Sequence, residues 1–473
     1  MTKRKSHPTG KHHDSFIDGV TAGAADGHGP VIVVGAGAAG LTAARVLHDQ
    51  GREVIVVEGR QRIGGRLHTI DVEGGTVDEG GNWIHGGSAN PLYHLTQEAG
   101  IASSEDKMAS SGGFLMFDGV NKRSVNQLRA LYHLWRADRV LSRLSREDIS
   151  APQSAANLAE RLDAEVSRVR GIIGQKYFRF MLRTMNDLTA AQKAELLAPN
   201  TLALNPDYDS RGDYVIAGGY QRLVSRLASG LDIKLGAEVR EISYNAAGVT
   251  VQTSAKVLRG SHVIVTVPLG VLKAQTITFQ PALPVGKQRA IQNLGVGIVE
   301  KVVLAFDEPF WRKSPNQPRS IFHVSAVQGD FPAFVDASST AGRPVLVAFL
   351  TGDQAQQLAE DPEATVARAT EILHMIFTDE YQDPAAVHVT TWGTDEFSLG
   401  SYSTVSLTTS AGDYDDLLAP VAGRLLFAGE ATYRERAGFV EGAIGSGIRE
   451  ARRILGYEAD LRLPPVDTAF TRI

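Results

Sequence analysis

Residues 31–40 read VIVVGAGAAG and decide how the fold begins. The four aliphatic residues predict a strand buried on both faces, and residues 41–50 continue with the spacing of an amphipathic helix. A second aliphatic run over 54–57 completes a strand–helix–strand unit, which we expect to be parallel and right-handed. The sequence therefore predicts an α/β fold that opens with a Rossmann-type nucleotide-binding unit.

The turn after the first strand matches the GxGxxG pattern of dinucleotide-binding folds. Gly35 permits the tight turn, Gly37 lets a pyrophosphate approach the backbone, and Gly40 allows close helix–strand packing. Ala38 and Ala39 lie at the start of the helix, where unpaired N–H groups and the positive dipole end favour phosphates. This turn therefore predicts a bound dinucleotide.

An acidic residue supports that prediction and narrows it. Glu58 ends the second strand, where its carboxylate is placed to accept hydrogen bonds from a ribose. A carboxylate at this position disfavours a cofactor with a 2′-phosphate.

The composition is that of a large globular protein. The chain has 473 residues, of which 43% are hydrophobic, and a formal net charge of −5, so neither nucleic acid nor an anionic membrane is expected as a partner. It contains no cysteine, which excludes disulfides, thiolate metal sites and a cysteinyl link to a cofactor. No apolar run reaches the ~18 residues of a membrane span. We expect a cytoplasmic protein without a metal, and the sequence leaves open whether it is a homodimer.

Beyond residue 90 the pattern changes twice. Residues 91–198 are polar with aliphatic residues at helical intervals, such as Leu128 and Leu131, and predict helices. Residues 233–253 alternate like an antiparallel meander of three strands that begins at 233–235. The later elements are predicted as strands over 263–267, 301–306, 345–350 and 424–427, with helices over 362–377 and 440–455.

The order of these patterns predicts two interleaved domains between two tails. The predicted dinucleotide-binding domain, a parallel sheet with an antiparallel meander, comprises 30–90, 215–280 and 391–457, and the predicted substrate domain, a mixed sheet plus helices, comprises 91–214 and 281–390. Residues 1–29 read as a disordered extension and 458–473 as a polar tail.

Two distant segments carry a family resemblance. Residues 58–66 read EGRQRIGGR and resemble the E-A-x-x-R-x-G-G-R signature of flavin amine oxidases, with Gly59 in place of the usual Ala. Residues 425–432 read LLFAGEAT and are similar to the F-A-G-E-x-T motif of the same family. The resemblance extends from Val31 to Leu455 and implies a cofactor, FAD, held between both ends of the chain.

Three further segments resemble the polyamine oxidase branch of that family. Residues 78–86 read DEGGNWIHG, residues 294–306 contain LGVG followed by KVVLAF, and residues 392–403 read WGTDEFSLGSYS. By resemblance, Lys301 lies near flavin N5, and Tyr402 and Phe439 form two aromatic walls flanking the amine. Ser401 stands where monoamine oxidases carry the flavin-linking cysteine, so the flavin is expected to be non-covalent.

The resemblance implies a full set of site residues. The expected catalytic residues are Lys301, Tyr402, Phe439 and His85, the last through its ability to change charge near neutrality. The residues expected to hold FAD are Gly35, Gly37, Ala38, Ala39, Gly40, Glu58, Gly59, Arg60, Gly64, Gly65, Arg66, Gly80, Gly81, Asn82, Trp83, Val239, Phe397, Gly429, Glu430, Gly438, Phe439 and Val440.

The implied activity is oxidation of a primary or secondary amine by hydride transfer to flavin N5, with O₂ reduced to H₂O₂. A polyamine or diamine is favoured and an aromatic monoamine remains open; Asp187, in the helical region, is a candidate anchor for a distal ammonium. An L-amino acid oxidase is the first alternative, although Trp83 occupies the place of its carboxylate-binding arginine. A non-catalytic FAD-binding protein is the second. A histone demethylase is disfavoured because we find no room for its long helical insertion.

Overall fold

The computed structural model describes residues 29–106, 113–147, 155–204, 212–314 and 317–457, so the predicted tails lie almost wholly outside the described residues. The strands are β1 Val31–Val34, β2 Val54–Val57, β3 Thr69–Val72, β4 Gly75–Asp78, β5 Trp83–Ile84, β6 Ser103–Asp106, β7 Gly113–Asp118, β8 Arg123–Ser124, β9 Asp213–Ile216, β10 Asp232–Lys234, β11 Val239–Asn245, β12 Gly248–Thr253, β13 Val257–Gly260, β14 His262–Val265, β15 Thr278–Gln280, β16 Gly295–Gly297, β17 Val299–Ala305, β18 Pro318–Val324, β19 Ala333–Asp336, β20 Val345–Thr351, β21 Ala386–Val389, β22 Tyr402–Thr404 and β23 Leu425–Phe427.

The α-helices are α1 Ala38–Asp49, α2 Pro91–Glu98, α3 Gln127–Ser145, α4 Leu158–Ser167, α5 Ile172–Ala190, α6 Gln221–Ala228, α7 Leu269–Ala274, α8 Val285–Asn293, α9 Ser338–Ala341, α10 Asp353–Glu360, α11 Pro362–Phe377, α12 Ala411–Leu418 and α13 Val440–Ile454.

The predicted parallel sheet is present and has five strands in the order β10-β2-β1-β14-β23. Every neighbouring pair is parallel, and β1 lies in the middle with all four residues buried. Helices α1, α6 and α13 cover one face, while the antiparallel strands β11 and β12 and helices α8 and α12 cover the other. A sheet buried on both faces requires continuous aliphatic runs, which is why the sequence identified β1, β2, β14 and β23.

The strand at residues 232–234 is a correction. We predicted residues 233–235 as the start of the antiparallel meander, but β10 pairs in parallel with β2, with Ile233 opposite Val56. Three residues of alternating apolar and polar character do not identify the strand with which they pair, since the same pattern suits an edge strand of either sheet.

A second sheet of seven strands, in the order β21-β17-β20-β19-β18-β7-β8, forms the base of the other half of the molecule. Strands β17 and β20 pair antiparallel, with Lys301 opposite Phe349. The expectation that residues 91–198 are helical is wrong in part, because β6, β7 and β8 lie between α2 and α3. Helices α3, α4 and α5 are present, but Leu128 and Leu131 lie on the exposed face of α3.

Candidate functional site

The turn between β1 and α1 contains three glycines, and each position favours glycine for a different reason. Gly35 has φ +105°, which favours glycine, and a Cβ on Gly40 would lie 1.9 Å from the carbonyl oxygen of Gly35. Gly37 meets neither condition, because its φ is −81° and its Cβ would meet nothing closer than 3.9 Å. The space beside Gly37 is therefore open at the N-terminus of α1, as a group approaching the backbone requires.

The segment after β2 folds back onto this turn. Gly64 N donates to Ala36 O at 2.8 Å, so the double glycine lies beside Gly37. The buried carboxylate of Glu58 accepts hydrogen bonds from Ala36 N at 2.8 Å and Arg60 N at 2.9 Å. Each carboxylate oxygen keeps a free lone pair, so the predicted ribose contact of Glu58 is compatible with these bonds.

The C-terminal motif lies at the same end of the sheet. Helix α13 packs against α1 closely, because a Cβ on Gly447 would lie 2.3 Å from Ala39 O. Gly429, which follows β23, has φ +131° and no atom within 4 Å of the position of a Cβ. Open space thus lies beside glycines of both motifs.

Glu430 connects the two ends of the chain. Its buried carboxylate accepts hydrogen bonds from Arg66 Nη1 at 3.0 Å, Gly438 N at 2.7 Å and Ser403 N at 3.2 Å. Arg66 also donates to Ser401 O at 2.9 Å. Glu430 therefore fixes three protein segments around one point, and its expected contact with the flavin chain remains a prediction.

Lys301 is buried, with 6% of the residue exposed, although it lies in a strand of aliphatic residues. Its Nζ donates to Asp78 O at 2.9 Å and Gly80 O at 2.7 Å and lies 5.7 Å from the centre of the Phe349 ring. Burial lowers its pKa to about 8, against the opposing charges of Asp78 and Glu79. The ammonium group therefore points towards the 78–86 segment, away from solvent.

A row of aromatic rings runs from this lysine to Phe439. Trp83 stacks on Phe349 with 6.0 Å between ring centres, and His85 lies 6.3 Å from Trp83. Phe439 meets His85 edge to face at 5.7 Å. The predicted residues Trp83, His85 and Phe439 are thus brought together.

His85 has an acidic partner that the sequence did not indicate. Its Nδ1 lies 3.1 Å from Asp213 Oδ1, and both side chains are 40% exposed. Burial alone lowers the pKa of His85, but the hydrogen bond and charge of Asp213, with the charge of Glu441, outweigh it and raise the pKa. His85 is therefore a cation over more of the neutral range than an ordinary histidine.

Tyr402 is held by helix α5. Its hydroxyl donates to Leu188 O at 3.0 Å, and its ring lies beside Gly438, where a Cβ would be 3.4 Å from Cδ2. Tyr402 and Phe439 therefore flank Gly438, and their role as paired walls remains a prediction. Ser401 Oγ accepts from Val299 N at 2.8 Å and so serves the backbone of β17.

The other residues predicted to hold FAD lie next to the residues described above. A Cβ on Gly80 would lie 1.7 Å from Arg66 O, and a Cβ on Gly81 would lie 3.4 Å from Val440 Cγ2. Asn82 lines a cavity together with Lys301. Val239 begins β11, two residues after Ala237, whose N donates to Glu58 O at 2.8 Å.

The glycine at position 59, where the family signature has alanine, is explained by its neighbour Phe397. A Cβ at this position would lie 2.4 Å from Cε1 of Phe397, so the ring occupies the space of the usual alanine methyl. The guanidinium of Arg60 lies 5.5 Å from the centre of the same ring and hydrogen-bonds Asp395. Gly59 and Phe397 are therefore a matched pair.

Two neighbouring acidic residues, Asp78 and Glu79, were not predicted as site residues. The carboxyl of Asp78 is buried and accepts from Tyr220 N at 3.1 Å, and burial raises its pKa to about 6. Glu79 hydrogen-bonds His68 and His388, and although burial opposes it, these two bonds lower its pKa to about 2. The only signal in the sequence was an acidic pair directly before a double glycine.

The residues fit a dinucleotide flavin. Open space lies beside both Gly37 and Gly429. At Gly37 neither the backbone conformation nor the packing requires a glycine, and the N-terminus of α1 faces the space beside it. The donors there are the backbone N–H groups at the start of α1, which suit a pyrophosphate. Among the residues described, no group of three or more His, Asp or Glu is arranged to hold a metal ion. Within the same ranges, no helix is long and apolar enough to cross a membrane.

Comparisons with known proteins agree with this geometry. The profile of the family described as flavin containing amine oxidoreductase matches residues 38–455. The chain is 35% identical over 452 residues to lysine-specific histone demethylase 1 homolog 2 of Arabidopsis thaliana, covering 92% of this chain and 59% of that protein. It is 34% identical over 445 residues to lysine-specific histone demethylase 1 homolog 1 of Oryza sativa subsp. japonica, covering 90% and 52%. The chain thus spans about half the length of these curated relatives.

Solved structures of amine oxidases share the fold. Putrescine oxidase bound to putrescine superposes with a TM-score of 0.75 at 23% identity, covering 90% of this chain and 99% of that one. Cyclohexylamine oxidase from Brevibacterium oxydans IH-35A gives a TM-score of 0.76 at 22% identity, covering 91% and 99%. These likenesses establish the α/β fold that the sequence predicted.

Proposed function

The chain belongs to the family of flavin-containing amine oxidoreductases, and on that premise we propose that it binds FAD non-covalently and oxidises an amine. The observation that carries the proposal is the convergence of three distant segments. The glycine turn after β1, the Gly429–Glu430 turn after β23 and the buried Lys301 of β17 all meet the 64–83 region.

The chain's own residues supply binding and orientation. Bound FAD would accept a hydride from the α-C–H of the amine, and O₂ would then be reduced to H₂O₂, which is chemistry that belongs to the cofactor. The open N-terminus of α1 and Arg66 neutralise pyrophosphate charge. Trp83, His85 and Phe439 form one side of the proposed amine site, and Tyr402 lies beside them across Gly438.

Lys301 keeps a positive charge in a buried place. A charge there stabilises negative charge that develops during reduction of O₂, because the surroundings are of low polarity. Two of its three donors are occupied by Asp78 O and Gly80 O, so one N–H remains for a water molecule.

We propose a polyamine or diamine as the first substrate class. A solved relative in fold was crystallised as putrescine oxidase bound to putrescine, and carboxylates of Asp213 and Glu441 act on His85 beside the aromatic row. Acidic groups attract a cationic amine and raise its local concentration. An aromatic monoamine suits the aromatic row itself and remains the alternative within this class.

A methylated lysine side chain is the second candidate, and the identity to lysine-specific histone demethylase homologs favours it. It is a secondary or tertiary amine and requires the same α-C–H oxidation. Within the residues that the structure describes, no helix is longer than the 19 residues of α3 and α5, which disfavours a substrate that needs a long helical insertion.

The domain division and the cytoplasmic location are also proposals. The five-stranded sheet takes β1 and β2 from the first predicted FAD-binding segment, β10 and β14 from the second and β23 from the third. This sharing supports the division into 30–90, 215–280 and 391–457 on one side and 91–214 and 281–390 on the other.

One experiment separates the candidates. The purified protein is expected to be yellow, to release FAD on acid precipitation and to form H₂O₂ with putrescine or spermidine. The same peroxide assay would be run with phenethylamine, leucine and an N-methyl-lysine peptide. Turnover of leucine alone identifies an L-amino acid oxidase, and bound FAD without peroxide from any amine identifies a non-catalytic FAD-binding protein. A colourless protein that does not take up FAD overturns the proposal.

A further inference from the structure

A small cavity lies beside Lys301, between the second sheet and strands β4, β5 and β9. Its volume is about 20 Å³, more than the ~10–15 Å³ that a water molecule requires on this measure. Its polar lining comes from Lys301, Asp78, Asn82 and Thr76, and its apolar lining includes Val347. A cavity with this many polar groups is expected to hold ordered water.

Lys301 and Asp78 face the same cavity without touching through their charged groups. Lys301 Nζ bonds the backbone oxygen of Asp78, but within the ranges that the structure covers no ion pair within 4.0 Å joins it to the Asp78 carboxyl. The two residues therefore line one cavity without a direct ion pair between their charged groups.

Both groups have unused hydrogen-bonding capacity. Lys301 Nζ has three donors and uses two of them on backbone oxygens. Asp78 Oδ1 accepts from Thr69 and Tyr220 N, while Oδ2 has only the longer bond of 3.3 Å from Tyr220 N. One water molecule between them would satisfy the remaining donor and the less occupied oxygen.

We propose that this cavity holds a water molecule that links Lys301 Nζ to the Asp78 carboxyl, and that Asp78 is a positioning residue that keeps Lys301 protonated. The proposal rests on the proposed function, because it assigns the protonation of Lys301 to a residue outside the reacting pair. Asp78 acts through Lys301 and touches neither amine nor flavin in this proposal.

The chemistry of O₂ reduction gives the link a purpose. Forming H₂O₂ takes two electrons and two protons, and the hydride from the amine supplies both electrons and one proton. The second proton comes from the Lys301 ammonium, whose N–H bond breaks as the peroxide O–H bond forms. A proton from solvent, passed by the water, restores that N–H bond, and the Asp78 carboxylate stays ionised and favours the charged ammonium.

The charged groups around the pair agree with this direction. Lys301 faces the carboxyls of Asp78 and Glu79, and both raise its pKa against the larger effect of burial. Asp78 faces Lys301 and His68, which lower its pKa against burial, and it also faces the buried Tyr220 hydroxyl. Of the two carboxyls near Lys301, Glu79 hydrogen-bonds two histidines, so Asp78 is the one with an oxygen left for the water.

The test follows Lys301 directly and needs no turnover. The protein, loaded with FAD, would be labelled with ¹³C-lysine, and the Lys301 Cε signal identified by its absence in Lys301→Met. In Asp78→Asn the titration midpoint of Lys301 is expected to fall by about one pH unit, the lower end of the effect of a nearby opposite charge. The matched control is Glu79→Gln, expected to move the midpoint by less than half as much.

Each outcome decides. An unchanged midpoint in Asp78→Asn, or an equal shift in both variants, overturns the proposal. A crystal structure of the wild-type protein gives an independent result, since a water molecule within hydrogen-bond distance of both groups is expected and a dry cavity overturns it even where Asp78→Asn does not fold. Loss of all peroxide formation with a normal titration would contradict the proposed function instead.

Discussion

Arg66 and Glu430 are 364 residues apart in the sequence, and their side chains meet with 3.0 Å between Nη1 and Oε1. The side chain of Arg66 is 23% exposed, and the Glu430 carboxylate is almost completely buried. The pair joins the loop after β2 to the turn after β23, so it fixes the two halves of the FAD groove relative to each other.

Removing the arginine leaves a buried carboxylate without its cation. Arg66→Met is expected to lower the free energy of unfolding by about 3 kcal/mol, typical of a broken buried pair, and to lower the FAD content. Chemical denaturation and the ratio of flavin to protein absorbance measure both. Arg240→Ala is the control, because it removes the exposed Arg240–Glu238 pair and should cost less than about 0.5 kcal/mol.

The matched pair of Gly59 and Phe397 makes a second prediction. Gly59→Ala is expected to destabilise the protein by about 1–3 kcal/mol, because the new methyl overlaps the ring. Gly412→Ala lies in helix α12, where a Cβ meets nothing closer than 4.0 Å, and is expected to be neutral or stabilising. Thermal unfolding compares the two variants. If adding Phe397→Leu does not restore stability to Gly59→Ala, the overlap is not the cause.

Lys301→Met tests the buried ammonium. We expect the variant to retain FAD and to slow turnover by about 100-fold, the lower range for loss of a proton-transferring group. Lys256→Met changes an exposed lysine and serves as the control for expression and folding. Steady-state kinetics over a range of O₂ concentrations measure the effect, and unchanged kinetics would remove Lys301 from the mechanism.

The His85–Asp213 contact predicts a pH effect. Asp213 raises the pKa of His85, so Asp213→Asn is expected to lower the titration midpoint of that histidine. Histidine ring signals in NMR spectra report the midpoint, with His85→Gln for assignment. Glu238→Gln, which removes an exposed charge from the loop before β11, should leave the midpoint unchanged.

Lys287 is a buried lysine away from the site and predicts how stability changes with pH. It donates to Asp416 O at 2.9 Å and lies 4.2 Å from the centre of the Phe427 ring, while burial lowers its pKa to about 7. A folded pKa below the unfolded value means that the unfolded chain binds more protons between pH 7 and about 10, so stability rises with pH there.

The variant Lys287→Met isolates this contribution. Between pH 7 and pH 9 the wild-type free energy of unfolding should gain about 2 kcal/mol more than that of Lys287→Met. Urea unfolding at the two pH values measures the difference, and parallel pH dependences would contradict the assignment.

The sequence predicted the fold best where a structural element accepts only one type of residue. Aliphatic runs identified β1 and β2, because a sheet buried on both faces tolerates little else. The run at β7, residues 113–118, was assigned to a helical region because a short apolar run does not distinguish a buried helix from a strand.

The residues of the site likewise fall into those that the sequence predicted and those that it did not. The glycine motifs were recognisable because their spacing serves the backbone directly. The contacts of Asp213 with His85 and of Asp78 with the Lys301 cavity depend on chain segments that meet only in the folded protein. A carboxylate has the same appearance in a sequence whether it is solvated or buried, so these partners were missed.

The five-stranded sheet has its middle strand near residue 31 and its last strand at residue 425. During synthesis the N-terminal glycine turn emerges early, but its counterpart on β23 and α13 emerges only after almost the whole chain. Domains usually fold as soon as they are complete, so this one must wait. We expect ribosome-bound chains ending before residue 425 to hold no flavin, which makes cofactor capture one of the last events in the maturation of this protein.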